Sequence, residues 1–252
     1  MFHTKALLFM IWGLLLLLPL TAQVSRHRSA IDYYNRGNER QQAGDLKGAM
    51  EDYSLALTFD KTFALAWNNR GVVRFLSREL ESAIEDYNKA IELKPDYAEA
   101  WNNRGNAHQE RGEIDLAITD YTEAVRLNPK YIIAWHSRGS AKYAKKDLTG
   151  AISDYTQAIS FAPKYATAYY NRGIAQKEKG DLNAALNDFN LAIKLNPQNS
   201  LIWAQRGIVY LLLGQETNAE QNFAECLKLN PELKPALELS IRKTRDMRIA
   251  SH

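Results

Sequence analysis

The chain has 252 residues, of which 46% are hydrophobic and 24% are charged, a composition typical of a folded protein and unlike that of a disordered chain. Its formal net charge is only +3, and its one basic cluster, near the C-terminus, is interpreted as a solvated helix face, so we expect no nucleic-acid partner. Cys226 is the only cysteine, which excludes an intrachain disulfide. It stands where the other repeats described below have alanine, which predicts a buried thiol.

The first segment of the chain is unlike the rest. An apolar run from Ala6 to Leu18 is followed by a small residue at Ala22, a pattern typical of an export signal spanning residues 1–22. The run is shorter than the roughly 20 apolar residues that cross a bilayer comfortably. We therefore expect an exported protein, either periplasmic or secreted.

A second interpretation of this segment stays open. Arg26 and Arg28 follow the apolar run within a short linker at 23–29, and basic residues there favour an uncleaved N-terminal anchor. Membrane attachment is expected only in that case. An anchor whose amino terminus lies outside would leave the rest of the chain in the cytoplasm.

An arginine followed by a glycine then returns every 34 residues. Because a segment of this length cannot bury a core alone, the period predicts copies stacked side by side. The six predicted repeats, aligned without insertions, are 30–63, 64–97, 98–131, 132–165, 166–199 and 200–233. The glycines are Gly37, Gly71, Gly105, Gly139, Gly173 and Gly207. We expect each glycine to allow close approach of a paired helix, since glycine inside a helix otherwise costs about 1 kcal/mol.

Each repeat is predicted to contain two helices, because apolar and small residues recur at spacings of three and four. Aromatic residues stand fourth in each repeat (Tyr33, Trp67, Trp101, Trp135, Tyr169, Trp203) and again 20 positions later (Tyr53, Tyr87, Tyr121, Tyr155, Phe189, Phe223). The break between the helices carries Gly44, Gly112, Gly180 and Gly214, which predicts a left-handed residue. Arg78 and Lys146 hold that place in repeats two and four. A proline closes each of repeats two to six.

These landmarks resemble the tetratricopeptide repeat family over about residues 30–233. The resemblance implies an all-α fold, a right-handed α-α superhelix of six helix-turn-helix repeats. It also implies an inner face, lined by the first helix of each repeat, that binds a protein or peptide. Pro235, Leu237 and Ile241 predict a capping helix and tail over 234–252.

The arginine before each glycine departs from the family pattern, which often has leucine there. An aspartate follows each of the first five arginines sixteen positions later, whereas Arg206 meets Asn222. The predicted pairs are Arg36 with Asp52, Arg70 with Asp86, Arg104 with Asp120, Arg138 with Asp154 and Arg172 with Asp188. We expect an ion pair or a shared hydrogen-bond ladder between helices or adjacent repeats, each contributing about 0–1 kcal/mol if exposed.

The predicted ligand-binding face is rich in side-chain amides. The sixth positions of the repeats are Asn35, Asn69, Asn103, Ser137, Asn171 and Gln205, and the fifth are Tyr34, Asn68, Asn102, His136, Tyr170 and Ala204. Because an amide both donates and accepts, such a row suits the backbone of an extended peptide. The alternative is that these amides serve only the scaffold.

The rest of this face is nearly uncharged, its exceptions being Glu99, Glu110, Lys177 and Glu178. The family's carboxylate clamp for chaperone tails is therefore a poor match, since its lysines are missing. Apolar residues cluster in repeat two, at Val72, Phe75 and Leu76, and in repeat six, at Ile208, Leu211 and Leu212. They predict either partner contacts or contacts with neighbouring repeats and the cap.

No catalytic or cofactor-binding motif stands out. The sequence has no zinc-protease motif, phosphate-binding glycine loop, nucleophile elbow or dinucleotide fingerprint. We therefore expect that the protein is not an enzyme and binds no cofactor and no metal. The predicted function is a protein-interaction scaffold. The alternative is an accessory or regulatory subunit of a larger envelope, secretion or enzyme assembly, and the oligomeric state stays open.

Overall fold

The computed structural model describes residues 20–250, and this part of the chain is helical, with short turns and no β-strand. The helices are α1 (Leu20–Gln42), α2 (Leu46–Phe59), α3 (Ala64–Leu76), α4 (Leu80–Leu93), α5 (Ala98–Glu110), α6 (Ile114–Leu127), α7 (Ile132–Ala144), α8 (Leu148–Phe161), α9 (Ala166–Lys179), α10 (Leu182–Leu195), α11 (Ser200–Leu212), α12 (Glu216–Leu229) and α13 (Lys234–Ala250). The helices alternate between the first and second half of each 34-residue period, as the sequence predicts.

The first helix corrects one expectation. Because α1 begins at Leu20, residues 23–29 are helical and do not form a linker. Most of the predicted signal, residues 1–19, lies outside the described part of the chain. Within that described part, no helix combines the length and apolar character needed to cross a membrane.

The chain divides into two compact bodies. The first body ends at Gly112 and contains α1 to α5, and the second begins at Glu113 and contains α6 to α13. In each body, consecutive helices up to α12 pack against one another, and α13 packs against α11. First helices of neighbouring repeats also touch, α3 with α5 in the first body and α7 with α9 in the second. Each body is thus a stack of helices that presents its first helices side by side.

The turn inside each repeat takes the conformation that the sequence predicts. Gly180 ends α9 with φ of 93°, where a residue without a Cβ meets no steric penalty. Arg78 and Lys146 hold the same place with φ of 65°. A non-glycine residue in this region costs about 1–2 kcal/mol, so the turns of repeats two and four are strained relative to the glycine turns.

The turn between repeats is tied by the aromatic residue at the fourth position. The indole Nε1 of Trp101 donates to the backbone carbonyl of Pro95 at 2.9 Å. Trp67, Trp135 and Trp203 make the same bond to the residue six positions earlier, at 2.8–2.9 Å. Each indole therefore satisfies a backbone carbonyl of the turn that follows the preceding helix.

The recurring glycine allows two helices to pack closely, as expected. A Cβ on Gly71 would lie 2.7 Å from Cε1 of Tyr87, and one on Gly173 would lie 2.8 Å from Cε1 of Phe189. Both rings are buried in the interface between the two helices of one repeat. The aromatic residue fills the space that a side chain at the glycine would need.

The last helix covers the end of the second body. Leu237 on α13 packs into a cluster with Ile208, Leu211 and Cys226, and all four side chains are buried. The apolar residues of repeat six thus contact the cap, which was one of the two sequence-based interpretations. Cys226 is fully buried, as predicted, and burial raises the pKa of its thiol.

Candidate protein-binding face

The arginines form an ordered set of ion pairs with buried aspartates, which we call the arginine seam. Arg70 donates from Nε and Nη2 to the two carboxylate oxygens of Asp86, at 2.9 and 2.8 Å. The pairs Arg36–Asp52, Arg138–Asp154 and Arg172–Asp188 have the same two-bond geometry. The predicted pairing is therefore confirmed for every pair that lies within one body.

The value of about 0–1 kcal/mol expected from the sequence applies to exposed ion pairs, but the aspartates of the seam are buried. The side chains of Asp86 and Asp154 are both 2% exposed, and each carboxylate has a second cation, Arg74 at 2.9 Å and Lys142 at 2.8 Å. The guanidinium of Arg138 also stacks on Trp135, 4.7 Å from the ring centroid. Because these carboxylates are out of water, each depends on its cations far more than a surface carboxylate would.

The seam also joins neighbouring repeats. Nη1 of Arg172 donates to the hydroxyl of Thr156 at 2.9 Å, so one guanidinium links α9 to α10 in its own repeat and to α8 of the repeat before it. In the first body, the hydrogen bonds from Arg36 hold the pKa of the Asp52 carboxyl below its usual range. The charges of the seam are thus used to hold helices together.

The side chains at the sixth positions form a second recurring set, the amide row, which consists of Asn35, Asn69, Asn103, Ser137, Asn171 and Gln205. In the first body, Asn103 Nδ2 donates to Asn68 Oδ1 at 3.0 Å, and Asn68 Nδ2 donates to Asn69 Oδ1 at 3.0 Å. Asn69 Nδ2 donates to Asn38 Oδ1 at 2.9 Å and to the hydroxyl of Tyr34 at 3.2 Å. A continuous chain of hydrogen bonds therefore runs across three first helices.

The structure corrects the expected role of two amides. Asn68 is 4% exposed and Asn102 is 2% exposed. In the first body, Asn68 contacts Asn103 on the neighbouring first helix, α5. These two side chains cannot face a ligand. Asn68 instead holds the neighbouring amides of the row in place.

In the second body, the sixth-position amide Asn171 also contacts the fifth-position side chain of the preceding repeat, which is a histidine here. Asn171 Nδ2 lies 2.8 Å from His136 Nε2, a ring nitrogen that accepts the bond in the neutral imidazole. Burial lowers the pKa of His136, which keeps the ring neutral, and the rings of Tyr155 and Tyr165 lie 5.5 and 5.3 Å from it. His136 therefore plays the positioning role that Asn68 has in the first body.

The aromatic residues of the predicted face are only partly available. Tyr34 and Tyr170 are half-buried, with Tyr34 against the rings of Tyr53 and Phe63 and Tyr170 against Phe189. Phe75 packs on the core cluster of Ala83, Ile84 and Tyr87. The exposed part of the apolar patch in repeat two is Leu76, which is 52% exposed.

Two of the four charged residues of the face have a partner of opposite charge. Glu110 pairs with Arg78, and Glu178 accepts from the hydroxyl of Tyr143 and pairs with Lys146 at 3.1 Å. These two bonds hold the pKa of Glu178 below its usual range. The ammonium of Lys177 instead donates to the neutral amide oxygen of Gln205 at 2.6 Å. The face therefore combines neutral amides with a cation that has a neutral partner.

Two contributors to this face were not among the predicted ligand-binding residues. Asn38 accepts the bond from Asn69, and Lys146 neutralises Glu178 from the left-handed turn. Asn38 lies three positions after Asn35 on the same helix face, which was an available signal. Lys146 had the weaker signal of a long side chain where most repeats have glycine.

Comparison with known families agrees with this architecture. A model described as TPR repeat matches residues 78–110 and 139–180, and two described as tetratricopeptide repeat match 98–131 with 166–199 and 189–221. The chain is a tetratricopeptide repeat protein. No curated protein matches this tetratricopeptide repeat chain as a whole.

Solved structures share the fold. PilF of Pseudomonas aeruginosa is 18% identical with a TM-score of 0.75, over 88% of this chain and 99% of PilF. PilW, described as a widely conserved type IV pilus biogenesis factor, is 19% identical with a TM-score of 0.73, over 83% of this chain and 97% of PilW. YrrB, described as a tetratricopeptide repeat protein with an unusual peptide-binding site, is 20% identical with a TM-score of 0.65, over 76% of this chain and 97% of YrrB.

Proposed function

We propose that this tetratricopeptide repeat protein is a non-catalytic scaffold that binds peptide or protein partners along the amide row. The observation that carries this proposal is the bonding of the row itself. Sixth-position amides are held by fifth-position side chains of the preceding repeat, 35 residues earlier, in Asn69 with Tyr34, Asn103 with Asn68 and Asn171 with His136. The row is therefore ordered before any ligand arrives.

An ordered row of amides is suited to a peptide backbone. Fixing a side chain costs about 0.5–1.5 kcal/mol on binding, and a pre-arranged amide has already met this cost. Asn103 and Asn171 each use one N–H in the bonds described above, and an amide has a second N–H and an acceptor oxygen. Each added bond contributes about 0.5–1.5 kcal/mol, so useful affinity requires several of them.

The structural likeness to YrrB supports this function, because YrrB is described as having a peptide-binding site. The likeness to PilF and PilW supports a second candidate, an accessory subunit of an envelope assembly, since PilW is described as a pilus biogenesis factor. The apolar N-terminal run supports export, or retention as an N-terminal anchor, and either fits such a subunit.

The amide row can be tested with a variant that leaves the scaffold intact. Asn35 is exposed and belongs to the row, and none of the hydrogen bonds described here involves it. In a pull-down from envelope extract, Asn35→Ala combined with Asn103→Ala should weaken capture of the bound chains while helical content stays unchanged. Unaltered capture by the double variant contradicts the role of the row.

The same pull-down separates the two candidates. One partner recovered in a fixed ratio favours an assembly subunit, whereas many partners at low and variable ratios favour a general scaffold. Catalytic turnover by the purified protein alone would contradict both candidates.

A further inference from the structure

Lys177 is the least compensated charge on the inner face of the second body. It lies on α9, six residues after Asn171 of the amide row, and its side chain is half-buried. Its ammonium donates to Gln205 on α11, and no carboxylate of the described residues lies within ion-pair distance of it. A half-buried cation is thus paired with a neutral amide.

The surrounding charges leave an excess of one positive charge. Glu178 is the nearest acidic residue in sequence, but its carboxylate is already bonded to Tyr143 and Lys146. Lys146 therefore neutralises Glu178, and Lys177 has no ion-pair partner of its own among the described residues. Lys179, the other lysine at this end of the helix, pairs with Asp181 at 3.3 Å.

The surroundings of Lys177 also make its charge costly. Burial lowers the pKa of its ammonium, and the attraction of Glu178 offsets this effect only in part. An ammonium has three N–H donors, of which Gln205 takes one. An arriving carboxylate would accept from another donor and would reduce the cost of keeping the cation out of water.

We propose that Lys177 binds an acidic side chain, aspartate or glutamate, of the partner segment that lies on the amide row. This inference rests on the proposed function and adds a sequence preference to it. The amides of the row bind any peptide backbone, whereas a single half-buried cation selects one acidic position. The site differs from a clamp for a chain terminus, which needs several cations.

The test begins with a displayed library of random twelve-residue peptides selected on the full chain. The aligned peptides should carry aspartate or glutamate at one fixed position. A selected peptide is then synthesised with glutamate or with glutamine at that position, and its Kd is measured by fluorescence anisotropy. Because a hydrogen bond to a charged group contributes about 1.5–3 kcal/mol, we expect the glutamine peptide to bind at least about 10-fold more weakly.

Three variants assign the preference to this residue. With Lys177→Met the two peptides should bind equally, and with Lys177→Arg the glutamate peptide should stay preferred. Lys179→Met is the matched control, because it removes the same charge from the same helix at a lysine paired with Asp181. It should keep the preference.

The outcomes separate this inference from the proposed function. Peptides that bind without an acidic position, or with a preference that survives Lys177→Met, overturn the inference and leave the scaffold function standing. A selection that enriches no peptide overturns both, provided that circular dichroism shows a folded chain.

Discussion

The arginine seam and the amide row occupy neighbouring positions of the same first helices, yet they treat polar groups in opposite ways. Asn69 and Arg70 are adjacent residues. Arg70 turns into the helix interface and meets a buried carboxylate, whereas Asn69 belongs to a chain of neutral amides on a half-buried face. Ion pairs therefore hold the helices of this scaffold together, while its inner face is almost neutral.

The largest expected effect tests whether the buried carboxylates depend on their arginines. Arg138→Leu leaves Asp154, with its side chain 2% exposed, with Lys142 as its remaining cation. We expect a loss of about 3 kcal/mol in the free energy of unfolding, since the buried carboxylate loses two charge-assisted hydrogen bonds and keeps only one of its two cations. Urea titration followed by circular dichroism measures it.

Arg206→Leu is the matched control for this prediction. Arg206 holds the equivalent position in the same body and donates from Nε to the neutral Asn222 at 2.8 Å. Its loss should cost only about 1 kcal/mol. Equal losses in the two variants would show that the carboxylate is not what makes the seam strong.

A smaller effect is expected in the amide row. Asn69→Ala removes the bonds to Asn38, Tyr34 and Asn68. It leaves the half-buried Asn38 and Tyr34 to water and takes an acceptor from the buried Asn68. We expect a loss of about 1–2 kcal/mol. Thermal unfolding monitored by circular dichroism should show a lower Tm, and Asn35→Ala, at the exposed end of the row, should leave Tm unchanged.

The sequence predicts the seam better than it predicts the row. The sixteen-residue spacing of arginine and aspartate identifies the ion pairs, because it recurs in the first five repeats. Only repeat six departs from it, where Arg206 keeps its place and Asn222 replaces the aspartate. The fifth and sixth positions are adjacent, about 100° apart on a helix, and both carry asparagine in repeats two and three. Which of the two is buried depends on the tilt of the neighbouring helix, and the sequence does not specify that tilt.

The hydrogen bond from Lys177 to Gln205 could not be predicted from the sequence either. The partner, Gln205, comes from the next repeat, 28 residues further on, and this spacing recurs nowhere else in the hydrogen bonds of the inner face described here. A regular pattern predicts contacts that every repeat makes. A contact made by one repeat alone leaves no period to detect.

The pH dependence of stability separates the seam from the row further, since the amides do not titrate. The pKa of Asp52 is lowered in the folded protein by its bonds to Arg36. Its contribution to stability is therefore complete above the unfolded carboxyl pKa, about 3.9, and is lost as pH falls through the lower folded value. Urea midpoints measured from pH 5 down to pH 2 should fall less steeply in Asp52→Asn than in the parent chain. Identical slopes would contradict the assignment.

The smallest effect is expected at the cap, where the ion pairs are exposed. Glu216 accepts from Arg245 at 2.9 Å and from Arg248 at 2.7 Å, and these bonds lower the pKa of its carboxyl. Since exposed pairs are screened by salt, Glu216→Gln should change Tm only slightly at 20 mM NaCl and not measurably at about 1 M NaCl. Arg138→Leu should keep its loss at both salt concentrations, because salt screens a buried pair much less. If Glu216→Gln lowered Tm equally at both salt concentrations, the ion pairs of the cap would behave like the buried pairs of the seam. The distinction between buried and exposed ion pairs would then not hold at the cap.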